Sequence, residues 1–245
     1  MLVRDGSAGV EVFLVRRVQG MVFAGGMTVF PGGGVDPADA DAEVAWAGPP
    51  PSWWAQRFGV DEPRARALVC AAVRETFEEC GVLLAGPTHD SIVADTTEFH
   101  AARERLEGRE LTLSTFLAEN DLVLRSDLLR PWSRWITPVG ELARRYDTAF
   151  FVAVVPEGQL ADGATSEADE VAWSTPAAAL ADRLAERTML MPPTWAQLTS
   201  LSRCADTAAI LAAEPEIEPI LPEFRDVDGD TVLHFPGMDD FYAGG

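Results

Sequence analysis

Lysine is absent from the 245 residues, so every side chain that is permanently cationic at neutral pH is an arginine. Set against 39 carboxylates, the basic residues leave a formal charge of −20. So acidic a chain offers no broad basic surface to a nucleic-acid backbone, whose binding rests on neutralised phosphates, and no nucleic-acid partner is expected. The reliance on arginine, alongside many alanines, fits the codon bias of a GC-rich genome and carries no function by itself. Cysteine is scarce as well. Cys70, Cys80 and Cys204 are odd in number and far apart, which reads as reduced thiols and a cytoplasmic protein. His89, His100 and His234 are scattered, which argues against a histidine-based zinc site. No charged-then-apolar leader opens the sequence, and no apolar run reaches the ~20 residues that span a bilayer. Neither a signal segment nor a membrane partner is expected.

What the chain does have is apolar material, 47% of its residues, enough for a sizeable core. Arg66 to Cys80 carries Leu68, Val69, Ala72, Val73 and Phe77 at helical spacing. Gly81 follows where a left-handed residue would close that helix. Glu75, Glu78 and Glu79 fall at i, i+3 and i+4 and share one face. Three carboxylates packed together repel unless a cation lies between them. Hard oxygen donors with no Cys or His among them suit Mg²⁺ or Mn²⁺. Arg74 can reach Glu78 at i+4 and hold it oriented. The plain alternative for a glutamate cluster is a solvated helix face.

Arg74-Glu75-Thr76-Phe77-Glu78-Glu79-Cys80-Gly81-Val82 resembles the core of the Nudix box. In that family the box runs glycine, five residues, Glu, seven residues, then Arg-Glu-apolar-x-Glu-Glu-x-Gly-apolar. Phe30-Pro31-Gly32-Gly33-Gly34 is similar to the glycine turn that precedes the box helix. The resemblance implies an α/β/α sandwich around a mixed sheet, and cleavage of a phosphate–phosphate bond in a nucleoside diphosphate linked to a second group. It implies Mg²⁺ or Mn²⁺ as cofactor, with Glu75, Glu78 and Glu79 as metal ligands. Arg74, Glu78 and Glu79 are the expected catalytic residues, and Gly32 and Gly33 are expected at the substrate. In many Nudix enzymes a Glu on an acidic loop entering a strand serves as ligand or base. Glu167 and Glu170, in Ser166–Trp173, are the candidates here.

The spacing departs from the family. Counted from Gly34, the box leaves about 13 residues before its arginine, and this chain has 39 before Arg74. Counting back from Arg74 puts Arg66 where the first Glu should stand. The added segment, about residues 35–63, contains Pro49-Pro50-Pro51 and Trp53-Trp54 and reads as a loop with one short helix near Ser52–Phe58. Two adjacent tryptophans are costly to leave in water. They should pack on the body or at a subunit contact, and a homodimer is one way to cover them. Long insertions inside the box mark one Nudix branch, typified by a mammalian peroxisomal coenzyme A diphosphatase. Arg144–Phe151, Met191–Thr194 and the tail Pro219–Tyr242 resemble that branch too. Arg144, Arg145 and Asp147 stand at the mouth of a buried strand, where polar groups often reach a site: the arginines could contact phosphates, with Arg145 and Asp147 the expected substrate contacts, and an exposed arginine pair is as often a solvated face.

In order, Met1–Arg4 and Val10–Val18 predict strands joined by a turn, and Met27–Phe30 a short strand. Residues 88–119 read as mostly helical, with Ser114 or Thr115 near an N-cap. Leu122–Leu124 and Ser133–Thr137 read as short strands, Ala149–Val155 as a buried one. Pro176–Arg187 reads as a helix capped by Thr175, and further helices run to about residue 213. Thr231–Phe235 is the last expected strand. One domain over residues 1–245 is the simplest organisation.

The substrate signal lies just before the glycine turn. Coenzyme A-cleaving Nudix proteins share a signature there, and Arg17, Gly26 and Phe30–Gly33 match it. Val18 stands at its small-residue position and Val22 at its second arginine. A coenzyme A derivative is the first expectation, giving 3′,5′-ADP and a phosphopantetheine. ADP-ribose, NADH and dinucleoside polyphosphates compete, and a non-catalytic nucleotide-binding module is the reading from another class.

Overall fold

Two runs rich in β-branched residues open the chain, β1 (Leu2–Gly6) and β2 (Gly9–Arg17), and they pair antiparallel with Val3 opposite Val12. The computed structural model describes residues 1–20, 24–40, 43–138, 145–164, 168–227 and 229–243. After β3 (Thr28–Val29) come α1 (Pro37–Ala40), β4 (Trp46–Ala47) and α2 (Pro51–Phe58). Next is the glutamate-bearing helix α3 (Glu62–Cys80), one turn longer at its start than the apolar spacing alone indicates. Asp61 explains the extra turn, because its side chain accepts the Arg64 N–H at 2.8 Å and Pro63 needs no donor in the first turn. Gly81 ends the helix at φ 69°, returning its N–H to the Phe77 carbonyl.

The chain continues through β5 (Ala85–Gly86), α4 (His100–Glu107), α5 (Leu113–Glu119), β6 (Val123–Arg125), β7 (Leu129–Ile136) and β8 (Asp147–Val154). It ends with β9 (Ala168–Ser174), α6 (Pro176–Leu184), α7 (Pro192–Leu201), α8 (Thr207–Ala212), β10 (Pro219–Ile220), β11 (Glu223–Val227), β12 (Asp230–His234) and α9 (Met238–Tyr242). Thr175 caps α6 as expected, accepting the Ala178 N–H. The cap of α5 is Thr112, not Ser114 or Thr115, because the helix starts earlier, at Leu113. β7 is longer than expected. It tolerates Pro131 beside a register shift, where a missing ladder donor costs little.

The main sheet runs β10-β7-β8-β1-β2-β3, with β9 along β2. It is mixed: β1 and β8 are parallel, as are β7 and β10, and the other pairs are antiparallel. Alternation along the strands divides the core between its two faces. Leu2, Phe13, Val15, Phe151 and Ala153 pack with α2, α3 and α5 on one face. Val3, Val10, Val12, Leu14 and Val152 pack with α6, α7 and α8 on the other. The result is an α/β/α sandwich.

The added segment is part of the body. Trp54 is fully buried against Phe58 and Phe151, a burial that contributes on the order of 2–3 kcal/mol. Trp53 stays partly exposed, with its ring edge-on to Trp54. β4 pairs with β6, which pairs with β5, so the segment is stitched to the strands around the helical addition. No helix among the described residues is long and apolar enough to cross a membrane.

Candidate active site

α3 presents its carboxylates to the glycine turn that follows β3. The Gly32 N–H donates to Glu79 Oε2 at 2.8 Å. Gly32 has a φ of 146°, a conformation open to glycine. At Gly33 a Cβ would lie 2.5 Å from the Glu75 carboxylate, so only glycine lets the turn come this close. The Gly34 carbonyl accepts from Arg74 Nη2 at 2.8 Å. The turn and the helix are thereby clamped together through Glu79, Glu75 and Arg74.

Arg74 is the centre of the cluster. Its Nη1 donates to Glu75 Oε1 at 2.8 Å and to Glu78 Oε2 at 3.0 Å, the second being the expected i+4 pair. Its Nε and Nη2 grip the Asp39 carboxylate, at 3.1 Å to Oδ1 and 2.9 Å to Oδ2. Burial disfavours this guanidinium, but the Asp39 bonds and the charges of Glu75, Asp39 and Glu78 outweigh it, so its pKa is raised.

Asp39 corrects the sequence reading. It is buried on α1, and its Oδ2 also accepts the Asp36 N–H. Five residues separate Gly33 from Asp39, which is the family spacing from the glycine to the first acid. The extra residues therefore enter after that acid, and counting back from Arg74 lands on the wrong side chain. Arg66 instead lies over the Trp46 ring, 5.7 Å from its centroid, and packs the added segment. The signal for Asp39 was present once the count began at Gly33 and ran forward.

Glu78 is the buried member of the set. Its Oε2 meets Arg74, while its Oε1 is buried with no partner among the described residues. Burial pushes this carboxyl up to about 7, opposed by the Arg74 charge and helped by Glu75. Three carboxylates on one guanidinium, with Glu79 next to Glu78 in the sequence, make the cluster rich in negative charge. An orphaned carboxylate oxygen, excess negative charge and hard donors together fit a divalent cation. Among the described residues, no three His, Cys, Asp or Glu side chains are gathered closely enough to form a finished ligand set.

The other expected residues are dispersed. Arg17 ends β2, with its backbone bonded to Met27 and Gly26 at the start of β3, the end away from the glycine turn. Asp147 opens β8 and is gripped by Arg134 through two bonds of 2.7–2.8 Å and by Arg64 at 2.7 Å. Arg64 is in the first turn of α3, roughly 16 Å along the axis from Glu75 at 1.5 Å per residue, so Asp147 stands apart from the cluster. Arg145 is exposed, its Nε donating to the Thr137 carbonyl. Glu170 pairs with Arg16 at 2.8 Å on the surface. Glu167 and Arg144 lie outside the described residues.

A mixed sheet between helical layers, with a glycine turn seated on an Arg-Glu-x-x-Glu-Glu helix, defines a Nudix-type fold. The chain belongs to the Nudix hydrolase family, and residues 55–203 match the NUDT19 Nudix domain. It is similar to the acyl-coenzyme A diphosphatase NUDT19 of Xenopus laevis, 25% identical over 238 residues, covering 82% of this chain and 62% of that protein. The putative Nudix hydrolase 7 of Caenorhabditis elegans is 30% identical over 238 residues, covering 93% of this chain and 68% of that protein. The human NUDT19 relative is 27% identical over 233 residues, covering 80% and 62%. The chain thus spans less than two thirds of the Xenopus and human relatives. Among solved structures, a Nudix hydrolase from Alicyclobacillus acidocaldarius superposes with a TM-score of 0.71 at 26% identity, covering 88% of this chain and 94% of that one.

Proposed function

We propose that this chain is a metal-dependent diphosphatase that hydrolyses a nucleoside diphosphate-linked substrate, with coenzyme A or an acyl-coenzyme A as substrate and 3′,5′-ADP and the (acyl)phosphopantetheine as products. The observation that carries this reading is the buried, half-unpartnered Glu78 beside Arg74. Glu75, Glu78 and Glu79 would hold Mg²⁺ or Mn²⁺, which supplies charge neutralisation on the phosphoryl oxygens and a more acidic water. Arg74, braced by Asp39, fixes the orientation of Glu75 and Glu78. The Gly32 N–H fixes Glu79. The water's proton would go to a carboxylate of this group or to Glu167 or Glu170, whichever of them lies within hydrogen-bond reach of that water. Arg17, Gly32, Gly33, Arg145 and Asp147 are the proposed substrate contacts, of which the glycines adjoin the cluster. The coenzyme A assignment rests on the Arg17–Gly33 signature and on the names of the vertebrate relatives. The non-catalytic module drew on Arg66 at the acid's position, and with Asp39 there it loses that support.

A product screen tests the reading. Purified protein with Mg²⁺ or Mn²⁺ is incubated with coenzyme A, acetyl-coenzyme A, NADH, ADP-ribose and a diadenosine polyphosphate, and the products are resolved by mass. Release of 3′,5′-ADP from coenzyme A, abolished by EDTA and restored by Mn²⁺, is the expected result. Cleavage of another compound alone would keep the chemistry and replace the substrate. No cleavage with either metal would leave the nucleotide-binding module.

Gly33→Ala is a second expected result. The added methyl meets only the flexible end of Glu75, which can swing away at small cost to the fold. Melting temperature should change by no more than ~2 °C, under 1 kcal/mol at this chain length. Turnover should fall at least about tenfold, because the displaced Glu75 belongs to the proposed ligand set. Unchanged turnover would take the Gly33–Glu75 contact out of the mechanism.

A further inference from the structure

Arg103, on α4, is a charged side chain buried to 4% exposure. A buried guanidinium is costly unless it is paired, and its partners show what it is for. Its Nε donates at 2.9 Å to the backbone carbonyl of Glu78. Its Nη1 reaches the Asp162 carboxylate at 2.8–2.9 Å. Its Nη2 has no partner among the described residues. Asp162 is fixed in turn, for its N–H donates to the Cys80 carbonyl at 3.0 Å and its Oδ1 accepts the Ala164 N–H. A Cβ at Gly81 would lie 2.8 Å from Arg103 Nη1 and 3.1 Å from Asp162 Oδ2. The glycine that closes the box helix thus also makes room for this ion pair.

The last carbonyls of a helix have no partner within the helix. Here the Glu78 carbonyl is taken by Arg103, the Cys80 carbonyl by Asp162 and the Gly81 carbonyl by Thr96 Oγ1 at 2.8 Å. Arg103 is the member of this set that bonds the backbone of a box glutamate directly, and it does so with a fixed, planar donor. Its position at the C-terminal end of α3 also complements the helix dipole.

We propose that Arg103, held by Asp162, is a positioning residue for the Nudix-box carboxylates: it fixes the last turn of α3 so that Glu78 and Glu79 keep the orientation needed to hold a divalent cation. This rests on the functional reading above. Loss of the guanidinium should act on metal affinity and turnover, and little on substrate affinity. Lysine keeps the charge but not the two-direction fork.

The test measures Mn²⁺ affinity by electron paramagnetic resonance, together with kcat and KM, for the full chain and for Arg103→Lys, Asp162→Asn and Leu198→Ala. Leu198 is buried on the opposite face of the sheet and serves as a stability control. All assays are run well below the lowest melting temperature. Arg103→Lys should weaken Mn²⁺ binding about 10-fold or more and lower kcat about as much, as removal of a ligand-orienting partner does. KM should move by less than about threefold, and Asp162→Asn should move the same quantities less. Leu198→Ala should lower the melting temperature while leaving Mn²⁺ affinity and kcat in place. The inference is overturned if Arg103→Lys loses stability as Leu198→Ala does but keeps Mn²⁺ affinity and kcat within about twofold. If the wild type binds Mn²⁺ and cleaves nothing, the functional reading falls and the affinities still decide the role of Arg103. A wild type that neither binds Mn²⁺ nor cleaves would overturn both.

Discussion

Glu78→Gln should lower turnover by about 10³-fold or more while stabilising the metal-free protein above neutral pH. The two effects have one cause. Burial raises the Glu78 carboxyl to about 7 in the folded chain, against its ordinary value of 4.5. A carboxyl whose folded pKa is raised favours folding in its protonated form. That contribution is complete below about 4.5 and is lost as pH rises through 7. At pH 8 the metal-free wild type therefore carries an ionised carboxylate with one buried oxygen unpartnered, a penalty on the order of 3 kcal/mol. Glutamine keeps the shape and the acceptor for Arg74 without the charge. In EDTA at pH 8 the variant should melt several degrees higher than the wild type, at roughly 2–4 °C per kcal/mol. The gap should close toward pH 5. Added Mn²⁺ should raise the wild type far more than the variant, since binding to the folded state alone stabilises it. Melting curves against pH, with and without Mn²⁺, read all of this. A variant that melts lower than the wild type at pH 8 in EDTA would show that Glu78 is not held under electrostatic strain.

The parts of the molecule with a local signal were legible in the sequence. The box helix announced itself by apolar period and Gly81, and α6 by Thr175 followed by Pro176. The β1–β2 pair, the buried strand β8 and the short helix α2 behind the proline run are present as expected. What was not legible depended on partners distant in sequence. Asp39 itself can be reached by counting forward from Gly33, but its grip on Arg74, 35 positions away, follows only from the docking of α1 on α3. Arg103 on α4 has no periodic or motif signal, and its role lies in a bond to a backbone carbonyl. β11 was missed for another reason. The Asp228-Gly229 pair between polar-alternating runs is a hairpin signal, but the acidic and proline-marked context around it reads as a loop. β11 is exposed throughout and β12 is at most half-buried, so core-seeking patterns do not find the hairpin.

Asp39→Ala should be among the most damaging single changes in the chain, and Arg66→Gln among the mildest in this region. Asp39 accepts from Arg74 Nε and Nη2, and both side chains are nearly buried, at 2% and 12% exposure. Removing Asp39 leaves the charge of Arg74 balanced by Glu75 and Glu78 but strips its buried Nε of a partner, which costs about 1–3 kcal/mol. It also frees Arg74 to draw Glu75 and Glu78 out of register, so turnover should fall by at least about 10²-fold. Asp39→Glu, with the charge kept on a longer arm, should recover part of both. Arg66 only covers the Trp46 ring; its loss should cost no more than about 1 kcal/mol and leave turnover within about threefold. Thermal melts and Mn²⁺-dependent rates on the three variants separate the two assignments. The opposite pattern, with turnover lost in Arg66→Gln and kept in Asp39→Ala, would return the box's first acid position to residue 66. It would also mean that the Gly33-to-Asp39 spacing is a coincidence of the added segment. The expected pattern means that this chain carries the box with its glycine-to-acid spacing intact, and that the insertion lies between the acid and the arginine, where α2 and β4 bind it to the body without disturbing their pairing.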